Sequence, residues 1–211
     1  MEIFDITIPL NADTPVWEGD EGVKLSQVAS IKKGDGFNVS WLEMGVHSGT
    51  HIDAPFHLFD HGKTVDKIPL DKLVGEAHVL SIPQEVKVIT PEVLVQSGFD
   101  GKQNKLLLKT SNSNLWKNDP YTFNKNFSAI NTACAQFLVS QKIELIGIDY
   151  FSISPITELK PPHEILLDSE IVILENINLF DVNPGVYMLF CLPMNLTDAD
   201  GAPARVILVR N

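Results

Sequence analysis

The run His47-Ser-Gly-Thr-His51-Ile-Asp53-Ala-Pro-Phe-His57-Leu-Phe-Asp-His61 holds four of the six histidines of this chain. Imidazole nitrogens and carboxylate oxygens are the ligands that bind zinc, manganese or iron in proteins. A lone histidine more often has a structural or solvent role, but histidines are scarce here and the ordered set H-x3-H-x-D-x3-H is hard to explain by chance. The run therefore predicts a metal site.

Local geometry predicts how this run is built. The candidate donors are all odd-numbered: His47, His51, Asp53 and His57. Side chains alternate faces along a strand, so an extended chain would project these four to one side. A helix would also bring two of the histidines together at i,i+4, but Gly49 and Pro55 disfavour a helix. We expect a strand end followed by a bend.

In a fully extended chain the histidines of this run would be too far apart to share one metal. At about 3.3 Å per residue, His47 and His57 would lie roughly 30 Å apart, so the chain must turn before both can approach one metal. The glycine and the proline of the run are the residues that would allow it to turn. The run then predicts a compact site on His51 and Asp53 with His47 folded in, and His57 at the rim, available for proton transfer.

Length and charge exclude several classes of protein. A chain of 211 residues can form one domain with its own core, and we expect a single domain over 1–211. The formal net charge of −11 argues against a nucleic-acid partner. No signal peptide or membrane span is recognisable, so we expect a cytoplasmic protein without a membrane partner. Cys134 and Cys191 suit reduced core thiols.

Hydrophobic periodicity predicts more strands than helices. A loop is expected over 11–22, and a short turn near 69–74. The predicted strands are 3–10, 23–30, 36–46, 76–83, 105–110, 144–149, 170–176, 184–192 and 204–209. A helix should run from Thr90-Pro91 to Gly98, and another over 128–141 with Ser128 as its cap. These elements predict a mixed α/β domain dominated by sheet.

One short run rarely completes a catalytic metal site, so a further donor is expected downstream. His163 follows Pro161-Pro162 at a predicted helix start, and Glu175 closes the apolar run 171–174. A glutamate at a strand end is often simply solvent-exposed. From the residues alone, each of these two positions is open between ligand and bystander.

The histidine run resembles the H-x-G-T-H-x-D-x-P-x-H signature of the cyclase family of metal-dependent hydrolases, which includes bacterial kynurenine formamidases. The resemblance covers nearly the whole chain. The other matching segments are Thr14-Pro-Val-Trp17-Glu-Gly-Asp20, Gly147-Ile-Asp149, His163 with Glu175-Asn176, and Gly201-Ala-Pro-Ala-Arg205. Matching segments in the same order are more specific than a single motif.

The resemblance implies a role for each candidate residue. His47, His51 and Asp53 would bind one metal, and Asp53 would also reach a second metal completed by His163 and Glu175. The metals implied are divalent, two per subunit, with zinc first and manganese or iron as alternatives.

The resemblance also assigns the remaining site residues and the assembly. His57 would be the proton donor and acceptor, and Trp17 would line the substrate pocket. The fold implied is a swivelling β/β/α fold, and the assembly implied is a homodimer or a larger homo-oligomer.

The implied activity is that of an arylformamidase, which converts N-formyl-L-kynurenine, a small-molecule amide, to L-kynurenine and formate in tryptophan catabolism. Metal ions suit this chemistry because they lower the pKa of bound water and polarise the scissile carbonyl. The chain departs from formamidase-like members at Tyr150-Phe-Ser-Ile-Ser-Pro155, where those members tend to carry a Ser-Val-Asp-Pro type segment. Tyr150 and Phe151 are therefore where a different substrate preference would arise.

Two alternatives stay open. The chain could hydrolyse another amide or a lactam such as isatin, or it could be a non-catalytic metal-binding protein. A free histidine at position 57 argues against the second alternative, because a purely structural metal site does not need one. His61 lies outside the signature and is expected in a solvated loop, and Asp149 has no predicted role.

Overall fold

The computed structural model describes residues 1–210, in which twelve strands and five α-helices are formed. The strands are β1 (Glu2–Asp5), β2 (Lys24–Ala29), β3 (Val39–Glu43), β4 (His51–Asp53), β5 (Val74–Ser81), β6 (Val88–Ile89), β7 (Lys105–Lys109), β8 (Ala129–Ile130), β9 (Leu145–Ile148), β10 (Val172–Glu175), β11 (Gly185–Pro193) and β12 (Gly201–Arg210). The helices are α1 (Leu70–Leu73), α2 (Pro91–Gln96), α3 (Ser113–Asn118), α4 (Thr132–Ser140) and α5 (Lys160–Asp168). Short 3-10 helices include Pro55–His57 and Ile156–Glu158.

Eight strands form one sheet that closes on itself. Their order is β1-β12-β11-β5-β7-β9-β10-β4, and β4 also pairs with β12. The start of the long strand β12 pairs with β4, while its later residues pair with β1 and β11. The short strand β4 is thereby held between β10 and β12, with partners on both edges.

Three of the helices, α2, α4 and α5, pack on the parallel part of this sheet. Strands β5, β7, β9 and β10 are parallel, and such strands are normally covered on both faces. In β7, Leu106 and Leu108 belong to the core formed with α2, α4 and α5. Leu107 belongs to a second core, formed by side chains of the closed sheet. The expected sheet-dominated mixed α/β domain is confirmed.

Strands β2 and β3 form a separate hairpin. Within residues 1–210 these two strands pair only with each other. Phe37 is 64% exposed and Trp41 60% exposed. The predicted strands 23–30 and 36–46 are confirmed in position, although the second spans only Val39–Glu43. Their apolar side chains contribute little to the core.

Two predicted elements differ most from the structure in their bounds. The helix expected over 128–141 begins at Thr132, because the side chain of Asn131 accepts a hydrogen bond from the Cys134 N–H and acts as the cap. Ser128, the expected cap, instead donates its hydroxyl to the Val86 carbonyl. The first strand ends at Asp5 rather than at residue 10, and a single bridge from Thr7 to Ile177 follows it.

Other predicted elements are confirmed or refined. Helix α2 follows Thr90, whose side chain accepts from the Val93 N–H. Helix α5 begins at Lys160, so His163 lies within its first turns rather than at its start. Helix α3 was not predicted. Among the helices of residues 1–210, none could span a bilayer. The cytoplasmic location stays a prediction.

Candidate metal centre

The centre is built on the short strand β4. His51 and Asp53 point to the same face because they are two residues apart, and both are buried, at 2% and 1% exposure. Antiparallel pairing with β10 sets His51 opposite Glu175. His51 Nε2 lies 3.4 Å from Asp53 Oδ1 and 3.4 Å from Glu175 Oε2. One imidazole and two carboxylates therefore converge in the interior, and their donor atoms lie within 4.8 Å of one another.

His47 reaches this group from the preceding turn, not from the strand. Gly49 adopts φ +64°, in the left-handed region, and a Cβ there would lie 2.4 Å from Leu10 Cδ2. The bend at this glycine brings His47 Nδ1 to 2.8 Å from Asp53 Oδ1. The expected bend is present, and it folds His47 in beside the two donors of the strand; only His51 and Asp53 share that strand.

His163 approaches from the other side, on α5. Its Nε2 lies 3.2 Å from Glu175 Oε1 and 3.8 Å from Asp53 Oδ2. The two oxygens of Asp53 thus face different histidines, His51 on one side and His163 on the other. The two oxygens of Glu175 also face different histidines, Oε2 toward His51 and Oε1 toward His163. Both carboxylates lie between the two imidazoles.

Backbone carbonyls lie beside Nδ1 of both His51 and His163. His51 Nδ1 donates to the Gly49 carbonyl oxygen at 2.8 Å, and His163 Nδ1 lies 2.8 Å from that of Leu159 and 2.6 Å from the Ser154 hydroxyl. A carbonyl can only accept, so Nδ1 of His51 carries a proton, whereas the Ser154 hydroxyl beside Nδ1 of His163 can donate or accept. The Nε2 atoms of both histidines are directed at the carboxylates. Metal-binding histidines are commonly oriented in this way. The donor set and its orientation fit a divalent metal ion.

The pKa values of the buried carboxylates and histidines follow from the attraction between their opposite charges. Burial opposes ionisation of Asp53, but hydrogen bonds from His47 and His51 hold the pKa of its carboxyl well below the ordinary value. Burial also opposes a charged His51, yet hydrogen bonds to Asp53 and Glu175 raise its pKa to about 10. The pKa of His47 is raised to about 9, against burial, chiefly by Asp53. These carboxylates require positive charge beside them, from protonated imidazoles or from a cation.

His57 lies at the rim, as expected. The 3-10 helix Pro55–His57 follows β4 and carries the histidine back toward His47, with ring centroids 4.3 Å apart. Its side chain is 33% exposed. His57 is therefore close to the buried donors and also open to solvent.

A cavity of about 410 Å³ opens over these residues. The five predicted metal ligands, the predicted proton carrier His57 and Trp17 all line it. The five ligands are His47, His51, Asp53, His163 and Glu175. Phe151 forms another part of its wall, and Phe123 packs behind both aromatics, with ring centroids 5.0 Å from Trp17 and 4.9 Å from Phe151. The volume is in the range usual for small-molecule sites.

Several residues have roles that differ from the expectations. Tyr150 does not line the cavity: it is 1% exposed and its hydroxyl accepts from the Asn124 N–H. The buried carboxylate of Asp149 accepts four hydrogen bonds, from the backbone N–H and the hydroxyl of both Thr110 and Ser113. It holds the start of α3 against the end of β9. His61 is exposed, as expected.

One site residue was not predicted at all. Asp200 Oδ2 lies 2.8 Å from His47 Nε2 and 3.1 Å from His57 Nδ1. The signal available was its position directly before Gly201-Ala-Pro-Ala-Arg205, a segment that carried the family resemblance without an assigned role.

Comparisons with known proteins point to one family. The Cyclase family model, described as "Putative cyclase", matches residues 4–155. Cyclase-like protein 1 of Arabidopsis thaliana is 35% identical over 218 residues, which covers 99% of this chain and 85% of that protein. Kynurenine formamidase of Bacillus cytotoxicus is 33% identical over 208 residues, covering 98% of this chain and 97% of that protein.

A solved structure extends the agreement to three dimensions. The structure of a potential metal-dependent hydrolase with cyclase activity has a TM-score of 0.84 and 30% identity, covering 98% of this chain and 96% of that one. The fold that the resemblance implied is thereby confirmed. This chain belongs to the cyclase family.

Proposed function

We propose that this protein is a metal-dependent amide hydrolase that acts on an arylformamide, with N-formyl-L-kynurenine as the first candidate substrate. The observation that carries the proposal is the buried set His51, Asp53 and Glu175 at the base of the cavity, with His57 at its rim. Similarity to the kynurenine formamidase of Bacillus cytotoxicus supports the choice of substrate.

Metal ions would bind on both sides of the pair of carboxylates formed by Asp53 and Glu175. His47, His51 and Asp53 form one group of donors, and Asp53, His163 and Glu175 form the other. Because each carboxylate faces two histidines, the arrangement supports two divalent ions per subunit. Imidazole and carboxylate donors accept zinc, and also manganese or iron. A bound ion of this kind lowers the pKa of water and polarises a carbonyl.

The protein's own residues supply orientation and proton transfer. His57 is close enough to the buried donors to serve the same reacting group, and its exposure lets it exchange protons with solvent. We assign it the proton that the departing amide nitrogen must receive. Trp17 and Phe151 offer flat apolar surfaces that fit an aromatic ring of the substrate.

A second candidate is hydrolysis of a cyclic amide such as isatin. The observation that favours it is Phe151 in the cavity wall, within the segment 150–155 that departs from the formamidase-like pattern. A bicyclic lactam would use the same aromatic wall as an arylformamide. The metal donors do not discriminate between these substrates, so the cavity must.

We also propose that the chain forms a homodimer or a larger homo-oligomer through the β2–β3 hairpin. Its exposed apolar side chains are Leu25, Val28, Ile31, Phe37, Val39, Trp41 and Leu42. A patch of this kind on a two-stranded hairpin marks an interaction surface, since such hairpins are barely stable alone. A second copy of the chain is the partner that the family resemblance favours.

A substrate panel tests the proposed activity. Purified protein loaded with zinc or manganese would be assayed with N-formyl-L-kynurenine, isatin and a simple aryl ester. The proposal expects the highest kcat/KM for the formamide. A higher value for isatin would support the second candidate, and no turnover of any compound would support a non-catalytic metal-binding protein.

A further inference from the structure

Asp200 connects the metal donors with the proposed proton carrier. A single oxygen, Oδ2, lies within hydrogen-bond distance of both His47 Nε2 and His57 Nδ1, at 2.8 Å and 3.1 Å. An ionised carboxylate can only accept, so both imidazole nitrogens must donate to it.

Strand pairing fixes the backbone of Asp200. Its carbonyl oxygen accepts from the Ala54 N–H at 2.9 Å, and the next residue, Gly201, is paired with Asp53. The side chain therefore starts from a position set by the closed sheet. A carboxylate anchored in this way can hold its partners in one geometry better than a carboxylate on a mobile loop.

Gly201 provides the room for this arrangement. A Cβ at this position would lie 2.7 Å from the Ile52 carbonyl oxygen and 2.8 Å from His47 Cε1. Both distances are too short for any side chain. His47 packs directly on the glycine, and this packing leaves its Nε2 within reach of Asp200.

We propose that Asp200 is a positioning residue that holds the proton of His57 on Nδ1 and leaves Nε2 free to exchange a proton with substrate. This inference rests on the proposed function, in which His57 supplies a proton to the departing nitrogen. Without an acceptor at Nδ1, a neutral imidazole prefers its proton on Nε2 and is free to turn. Asp200 therefore fixes both the position of the proton and the orientation of the His57 ring.

A competing role would be to orient His47 alone. In that case Asp200 would affect metal binding and leave the state of His57 unchanged. The two roles are separable by experiment, because metal content reports on His47 and the imidazole tautomer reports on His57.

Asp200→Ala tests the proposal, with Asp198→Asn as its control. Asp198 is exposed and two residues away, and its φ of +58° is a conformation that asparagine tolerates. The control removes one nearby negative charge without removing an acceptor from His57. Metal content and thermal unfolding would be measured on both variants to establish that each is folded and loaded.

The decisive readout is the tautomer of His57, observed by nitrogen-15 NMR of the zinc-loaded protein and assigned with His57→Ala. We expect the proton on Nδ1 in the wild type and in Asp198→Asn, and on Nε2 in Asp200→Ala. For hydrolysis of the formamide, kcat should fall about 10- to 100-fold in Asp200→Ala, the loss usual for residues that orient a functional histidine. KM should change little, and kcat is expressed per bound metal because Asp200→Ala also removes the acceptor at His47 Nε2.

Two outcomes would overturn the inference. One is an unchanged His57 tautomer in Asp200→Ala, and the other is a loss of activity that metal loss accounts for entirely. Absence of amide hydrolysis in the wild type would refute the proposed function instead, and the tautomer measurement would still decide whether Asp200 positions His57.

Discussion

His51 lies directly opposite Glu175 in the antiparallel pairing of β4 with β10, and their side chains approach to 3.4 Å between Nε2 and Oε2. They are 124 residues apart in the sequence, so the closure of the sheet, not local chain geometry, brings them together. Strand β4 has only three residues, yet it pairs on both edges. A short strand held in this way is a rigid base for ligands.

Replacing Glu175 by glutamine should remove metal. The variant keeps an oxygen that can accept from the Ile153 N–H, as Glu175 Oε1 does at 2.7 Å, but it removes the charge that faces His51 and His163. We expect the affinity for zinc to fall at least about 10-fold, measured by competition with a chromogenic chelator. Glu76→Gln, at an exposed position on β5, serves as the control. Equal affinities in the two variants would exclude Glu175 as a ligand.

Metal binding should release protons. The pKa of His47 is about 9 and that of His51 about 10 in the metal-free protein, so both are protonated at neutral pH. A metal ion must displace these protons, and its apparent affinity should therefore rise as the pH increases toward these values. Calorimetric titration with zinc in buffers of different ionisation enthalpy measures the number released. Uptake of protons, or an affinity that falls with rising pH, would contradict this assignment.

Trp17 should contribute to the binding of an aromatic substrate. Its ring lines the cavity and packs on Phe123. Trp17→Ala should raise KM for the arylformamide by roughly 10-fold, an effect of about 1.4 kcal/mol expected for loss of one aromatic contact. Tyr121→Ala, which removes an aromatic side chain that is 61% exposed, should leave KM unchanged. If Trp17→Ala lowers kcat and leaves KM intact, Trp17 acts on the reaction rather than on binding.

The hairpin should hold two copies of the chain together. Trp41→Ser with Phe37→Ser would replace two of its largest exposed apolar side chains. Light scattering after gel filtration should show an oligomer for the wild type and a shift toward monomer for the double variant. Val88→Ser, a change at another exposed apolar position, is the control. A wild-type monomer at micromolar concentration would contradict the assembly.

Local patterns predicted the parts of the site that local structure builds. His51 and Asp53 share one face of a strand because they are two residues apart. The chain bends at Gly49 because glycine can adopt a left-handed conformation. His163 and Glu175 could be chosen as candidates from the sequence, but only the family resemblance gave them a role. The structure places both beside Asp53.

Long-range contacts account for what the sequence did not reveal. Asp200 meets His57 across 143 residues, through the register of β12 on β4. Helix α3 has no strong periodic pattern, and its start is held by the distant carboxylate of Asp149. The start of α4 was misplaced because Ser128 and Asn131 are both good caps, and only the tertiary structure gives Ser128 another partner.

The most direct test of the central claim is the rate of N-formyl-L-kynurenine hydrolysis before chelation, after chelation and after zinc is restored. Kynurenine formation can be followed by its absorbance, with metal content measured on the same samples. The proposed function predicts that the rate falls in proportion to the metal removed and returns with zinc. Undiminished hydrolysis by metal-free protein would contradict it.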